Sequence, residues 1–266
     1  MIVFGTRMYG KKNRVTGWGT CDHCGKYGKL SAYNGRKWGH LYFIPIIPEG
    51  PRVRVVKECA KCSHGIHLPE KEVPAILHDM RQAAEKALSA LIAGEEEFED
   101  DGARKPCVAF LASSVEMFYF LGAKGQVEKT LNALQQNSLN LAYHLVRGEL
   151  LEISGQTDEA AASYMHAAKC DPDDAAPLTA LGSLYIDQKK YREAQVLYER
   201  ALQLSPEELP IRLVLLSVYD ETKEHTKLAE TYERCFELVP EMANDKKTRK
   251  AYQKACKKAG RQPVMG

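Results

Sequence analysis

From Leu141 to Pro240 the small, apolar and helix-ending positions recur at an interval of thirty-four residues. Gly148 and Gly182 stand one interval apart, as do Ala160 and Ala194, and as do Pro172, Pro206 and Pro240. Tyr164, Tyr198 and Tyr232 keep the same spacing, and so do Ala167, Ala201 and Cys235. In the middle copy Leu178, Leu181, Gly182 and Tyr185 fall at the i, i+3, i+4, i+7 positions of an apolar helical stripe, and Ala194, Tyr198 and Ala201 form a second stripe. Pro206 has no amide proton and ends that second helix. The pattern predicts helix–turn–helix units, each too small to cover its own apolar face, stacked into a solenoid. In the third copy Leu216 and Leu228 take the small positions, so the helix contacts there should be wider.

On either side of the array the periodicity weakens. Phe110, Leu111, Val115, Phe118 and Leu121 predict one helix, and Val127, Leu131 and Leu134 a second, so Lys105–Ser138 reads as a shorter, divergent unit capping the start. Met242–Ala259 is helical but mostly polar, with a wet outer face that stops a solenoid. Val73, Ile76, Leu77, Met80, Ala84, Leu88 and Leu91 predict an amphipathic helix over Lys71–Ala93. The acidic run Glu95–Asp101 follows it. Such a run is a solvated linker, or else lies against a basic part of the chain. The expected division is 1–69, 70–104 and 105–266.

Residues 1–69 alternate as strands rather than helices. Ile2–Thr6, Lys29–Tyr33, Lys37–Phe43 and Arg52–Lys57 are strand-like. Asn34-Gly35 carries the signal of a two-residue hairpin turn, and Pro45, Pro48, Gly50 and Pro51 mark a loop. A β module this small buries little and needs a staple. Cys21 and Cys24 form one C-x₂-C pair and Cys59 and Cys62 another, about thirty-five residues apart. Two such knuckles supply four thiolates to a tetrahedral ion, which is zinc or, alternatively, iron. His23, His64 and His67 lie near enough in sequence to replace a cysteine, but the pairing favours four sulfurs. Cys107, Cys170, Cys235 and Cys256 have no partners at ligand spacing and read as packing or surface residues.

Two family resemblances follow from these residues. The thirty-four-residue array resembles the tetratricopeptide repeat family. The first quarter resembles a bacterial-type zinc ribbon through Phe4-Gly5-Thr6-Arg7, Gly25 after the first knuckle, and Trp38 with Phe43-Ile44-Pro45 before the second. Ser63 departs from it, standing where a glycine often follows the second knuckle. Together they imply an α-helical solenoid of about three full repeats, with divergent and capping helices, behind a small β zinc-ribbon module. The repeat resemblance implies a groove for a peptide or helix of a protein partner, lined by Leu145, Glu149 and Glu152, then Thr179, Ser183 and Ile186, then Leu213, Ser217 and Asp220. The lysine and asparagine with which some members grip a terminal carboxylate are absent from the matching positions Leu145/Glu149, Thr179/Ser183 and Leu213/Ser217.

Charge and motifs narrow the function. The formal charge is +2, but residues 1–69 hold twelve Lys/Arg against three Asp/Glu, and residues 70–101 hold three against ten. The basic ribbon, with Trp18, Tyr27, Tyr33, Trp38 and Tyr42 for stacking, offers nucleic-acid binding as the alternative function. No phosphate loop, nucleophile elbow or His-Glu-x-x-His helix is present, so no enzyme activity is expected. The apolar run Leu41–Ile47 is shorter than the ~20 residues of a membrane span, and Arg7, Lys11 and Lys12 interrupt any export segment. Eight cysteines without an export signal point to the cytoplasm.

Overall fold

The computed structural model describes residues 4–41 and 44–264. Ile2 and Val3, expected to open the first strand, and Tyr42 and Phe43 lie outside the described residues. The chain forms two compact units, Met1–Ser163 and Tyr164–Gly266.

In the first unit β1 (Phe4–Thr20), β2 (Tyr27–Leu41), β3 (Ile44–Cys59) and β4 (Ile66–Pro69) form an antiparallel sheet in chain order. Asn34-Gly35 is not a turn. Both residues lie within β2, Asn34 paired to Lys12 of β1 and Arg54 of β3 and Gly35 to Val53 of β3, because tertiary contacts outweigh the local preference. Asn34 Oδ1 accepts from Arg54 Nη1 at 2.9 Å, and Asn34 Nδ2 donates to Glu70 Oε1 at 2.7 Å. Gly35 is small because Met8 passes over it: a Cβ there would meet the Met8 Cγ and Sδ at 2.9 Å. Pro48 and Pro51, expected in a loop, belong to β3. Its pairing to β4 starts only at Val53, so the preceding stretch is an edge that tolerates missing donors.

α1 (Val73–Ile92) occupies the expected amphipathic segment and buries Ala83, Ala84 and Ala87. The acidic run after it is no solvated linker. β5 (Glu97–Asp100) and β6 (Ala103–Pro106) make a hairpin there around Asp101-Gly102, whose φ values of 52° and 74° are those the tight turn requires. Phe98 anchors it, buried edge-on against Phe110 at 4.9 Å. Lys105 Nζ pairs with Asp100 at 2.7 Å and Arg104 with Glu97 at 3.1 Å, offsetting part of the charge.

α2 (Cys107–Leu121), α3 (Lys124–Gln136) and α4 (Asn140–Ser154) follow, the first two where the divergent unit was expected. α2 is apolar nearly all round because it has two neighbours. Leu111, Val115 and Phe118 pack with α1, α3 and α4, while Phe120 and Leu121 join Leu30, Ala32 and Val56 of the sheet. A Cβ on Gly17 of β1 would stand 2.9 Å from the Phe120 ring and 3.0 Å from Ile153, so sheet and helices share one core. α5 (Thr157–Cys170) carries the chain from the first unit into the second.

The second unit continues with α6 (Ala176–Asp187), α7 (Tyr191–Leu204), α8 (Leu209–Thr222), α9 (His225–Leu238), a 3₁₀ turn (Pro240–Asn244) and α10 (Lys246–Lys258). Consecutive helices pack in sequence, as in a solenoid. Cys235 and Cys256 are buried in this unit and Cys107 in the first, whereas Cys170 is exposed. Ala194 and Ala201 are fully buried beside Tyr198, which lies against Gly182. A Cβ on Gly182 would fall 2.6 Å from Tyr198 Cε2. Gly182→Ala should therefore destabilise the second unit by about 1–3 kcal/mol through overpacking, less the ~1 kcal/mol that alanine gains over glycine in a helix. Denaturant unfolding checks this: a variant at least as stable as the parent would mean that Tyr198 is not confined.

Candidate metal centre and repeat groove

Antiparallel order places the β1–β2 and β3–β4 connections at the same end of the sheet, and the four cysteines lie in them. In the first connection the Gly25 N–H donates to the Cys21 carbonyl at 2.8 Å and the Cys21 N–H to that of Lys26 at 3.2 Å. The second repeats this backbone: Ser63 N–H to Cys59 O and Cys59 N–H to His64 O, both 2.8 Å. Gly25 has φ 62° and Ser63 φ 58°, so the serine holds a left-handed conformation that suits glycine. Gly65 serves a different need, since a Cβ there would lie 2.9 Å from the Glu58 Cα.

The Sγ atoms of Cys21, Cys24, Cys59 and Cys62 all lie within 4.8 Å of one another. Cys21 and Cys62 are 3.7 Å apart, and Cys24 and Cys59 are 3.9 Å apart. A tetrahedron with arms of ~2.3 Å has edges of about 3.8 Å, so four soft donors already stand at metal-binding separation. As thiols they divide their protons unequally. The backbone N–H groups of Cys62 and Lys61 bring the Cys59 thiol down to about 7. The His64 N–H acts in the same direction on Cys62, but desolvation and the crowded sulfurs push that thiol up to about 12. An ion bound there would displace these protons, so its affinity would rise with pH. None of His23, His64 and His67 joins the sulfur cluster among the described residues. His23 and His64 stack on each other outside it, with ring centroids 4.1 Å apart.

The centre is tied to the helices by charge. Lys57, on β3 just before the second knuckle, has φ 55° at an irregularity in the β2–β3 register. Such a bulge re-aims a side chain, and the nearly buried Lys57 Nζ lies 2.9 Å from Glu116 of α2 and 3.5 Å from Asp22 of the first knuckle. Burial alone lowers its pKa, but the two carboxylates reverse this and raise it. The Tyr119 hydroxyl donates to the Thr16 carbonyl at 2.9 Å, a second link between α2 and the sheet.

The expected groove residues fare unequally. In the first unit Leu145 is buried, 8% exposed, and so is closed to a partner, while Glu149 and Glu152 are half-buried. In the second, Thr179 and Ile186 are half-buried and Ser183, Leu213, Ser217 and Asp220 are exposed. Thr179 lines a cavity of about 570 Å³ between α6, α7 and α8. Leu213, Ser217 and Asp220 line another of about 300 Å³, together with Lys254 and Lys258 of α10. Those two lysines escaped the sequence reading because their helix looked like a polar cap. The aromatics proposed for base stacking are partly committed elsewhere. Tyr33 is 1% exposed and donates to Glu58 Oε1 at 2.6 Å, and the Trp18 ring stands against Gly155. No helix among the described residues is long and apolar enough to cross a membrane.

Comparison with known proteins places the repeats. The family models for the tetratricopeptide repeat match residues 141–174 and 175–208. No curated protein matches the chain. Among solved structures, BtubC (BKLC) from P. vanneervenii is similar with a TM-score of 0.51 and 16% identity, over 72% of this chain and 84% of that one. The first TPR of Spaghetti (RPAP3), bound to the HSP90 peptide SRMEEVD, gives 0.39 and 20% identity, over 46% and 95%. At 16% identity the likeness to BtubC is one of fold.

The strained knuckle gives a direct test. Ser63→Gly should raise stability by about 1 kcal/mol, the strain of a left-handed non-glycine residue, and Ser63→Val should lower it. Thermal unfolding of the metal-loaded protein measures both, and equal midpoints for all three chains would remove the strain.

Proposed function

We propose, for a chain whose residues 141–174 and 175–208 are tetratricopeptide repeats, that it is a non-enzymatic adaptor whose second unit receives a peptide or helix of a protein partner. The observation that carries this reading is Leu213, a large apolar side chain left 42% exposed at a cavity shared with Ser217 and Asp220. Folded domains leave single apolar residues outside routinely, but this one stands at a concave site between helices, where ligands bind. Thr179, Ser183 and Ile186 extend the surface along α6.

The four cysteines hold a structural zinc. Four protein sulfurs complete a tetrahedron and leave no position for water or substrate, so the ion shapes the fold and performs no reaction. We assign residues 1–69 to the ribbon, 70–104 to the helix and most of the hairpin, which runs on to Pro106, and 105–266 to the helical repeats. A reducing compartment, the cytoplasm, suits eight cysteines that carry no disulfide among them.

Capture from the native host tests the adaptor role, comparing the intact chain with a Leu213→Asp, Ser217→Arg variant. A partner held by the first and lost by the second is expected; identical captures remove the groove from the function. Elemental analysis should find one zinc per chain, and iron in its place would correct the metal. Metal removal should not stop at the ribbon. Because the sheet shares its core with α2 and α4, chelation or Cys59→Ser should strip hydrogen-exchange protection from the sheet, α1, α2 and α4, while α7, α8 and α9 keep theirs. Retained protection in α2 would mean that the helices stand without the metal-held sheet.

A further inference from the structure

The two cavities of the second unit flank a single helix and carry opposite charge. On α8, Pro210, Ile211 and Val214 face the larger cavity, while Leu213, Leu216 and Ser217 face the smaller. A repeat tyrosine lies at each, Tyr198 in the first and Tyr232 one interval later in the second. Their apolar linings are thus alike, and their rims are not. The larger cavity is bordered by Asp173, Asp174 and Glu208 with no cation among its lining residues. The smaller is bordered by Lys254 and Lys258, with Asp220 as its one carboxylate.

We infer that the groove reads charge order: its occupant is an extended peptide segment with an Arg or Lys side chain at one end of a short apolar stretch and a carboxylate at the other. The inference rests on the adaptor reading and specifies its ligand. The cation enters the cavity beside Asp173 and Glu208, which are exposed at its rim and meet it as a solvent-screened pair. The apolar stretch crosses Leu213, and the carboxylate meets Lys254 and Lys258. A helix with its side chains is about 10–12 Å across, and an extended chain advances ~3.4 Å per residue, so the two charges should be separated by about three or four residues. Segments of uniform charge meet one favourable cavity and one unfavourable one, which discriminates by repulsion as well as by attraction.

Selection of randomised dodecapeptides displayed on phage against the full-length, metal-loaded protein tests this. The expected result is enrichment of sequences in which a basic and an acidic residue stand three or four positions apart with largely apolar residues between them. Selection on a Lys254→Glu, Lys258→Glu variant should keep the basic preference and lose the acidic one, and Asp173→Lys, Glu208→Lys should do the reverse. For a synthetic selected peptide, each double variant should weaken binding at least tenfold in a titration at low salt. Enrichment without paired charges, preferences unmoved by the variants, or no enrichment at all would each overturn the inference. If the Leu213→Asp, Ser217→Arg variant still loses a host partner in those cases, the groove stands and only its charge reading falls.

Discussion

Arg54 is the charged residue around which the first unit is assembled. It is 3% exposed, yet its guanidinium finds acceptors on two strands and a helix. Nη1 donates to the Asn13 carbonyl at 2.8 Å and to Asn34 Oδ1 at 2.9 Å, and Nη2 donates to the Phe120 carbonyl at 2.5 Å. Burying a cation costs several kcal/mol unless such partners are in place. Phe120 lies in the last turn of α2, where unsatisfied carbonyls gather partial negative charge. That turn has no basic residue of its own, so β3 supplies the missing cation from outside. Burial lowers the pKa of Arg54 and Glu70 opposes the shift, leaving the group charged. A displacement of α2 that left Arg54 buried would strip it of an acceptor, so the register of helix on sheet is held tightly.

This joint explains what the sequence conveys and what it conceals. The thirty-four-residue interval is legible because stacking imposes a small residue at the same contact in the first two copies, Gly148 and Gly182, the latter under Tyr198. The metal centre is legible because knuckle chemistry is local. Arg54 and Lys57 were counted among the basic residues of a soluble module, since nothing in their neighbours signals burial. The turn dipeptides show the same limit. Asn34-Gly35 carries the stronger local signal but is held straight by Arg54, Glu70 and Met8. Asp101-Gly102, overlooked inside an acidic run, forms the tight hairpin, with Phe98 supplying the burial that fixes it. Local preference set the possibilities, and long-range contacts chose between them.

The same contacts give the metal centre a reach beyond its four ligands. Asp22 of the first knuckle and Glu116 of α2 share the Lys57 ammonium, and Cys21 and Cys59 pack in one cluster with Phe120 and Ile153. Among its described residues the sheet contributes few large, fully buried side chains, Leu30, Tyr33, Val55 and Val56, and two of these pack against the helices. Small modules of this kind borrow stability from a metal, and the shared core would pass that stability on to the helices. An ion held by those sulfurs would thus stabilise a unit that extends through α4, the first helix of the matched repeats.

At the other end α10 closes the array by a different device. Tyr252, Ala255 and Cys256 bury its inner face, and the Tyr252 hydroxyl donates to Glu233 Oε1 at 2.7 Å, beside Arg261 at 3.0–3.1 Å from the same carboxylate. Asp245 caps the helix by accepting from the Thr248 N–H at 2.7 Å, which holds its carboxyl below the usual range. The outer face of α10 is wet, with Lys246, Lys247, Lys250, Lys254, Lys257 and Lys258 all exposed. Two of these, Lys254 and Lys258, also border the cavity against α8. They therefore set the positive charge at one edge of that cavity, where the repeat positions Leu213, Ser217 and Asp220 supply a carboxylate but no cation.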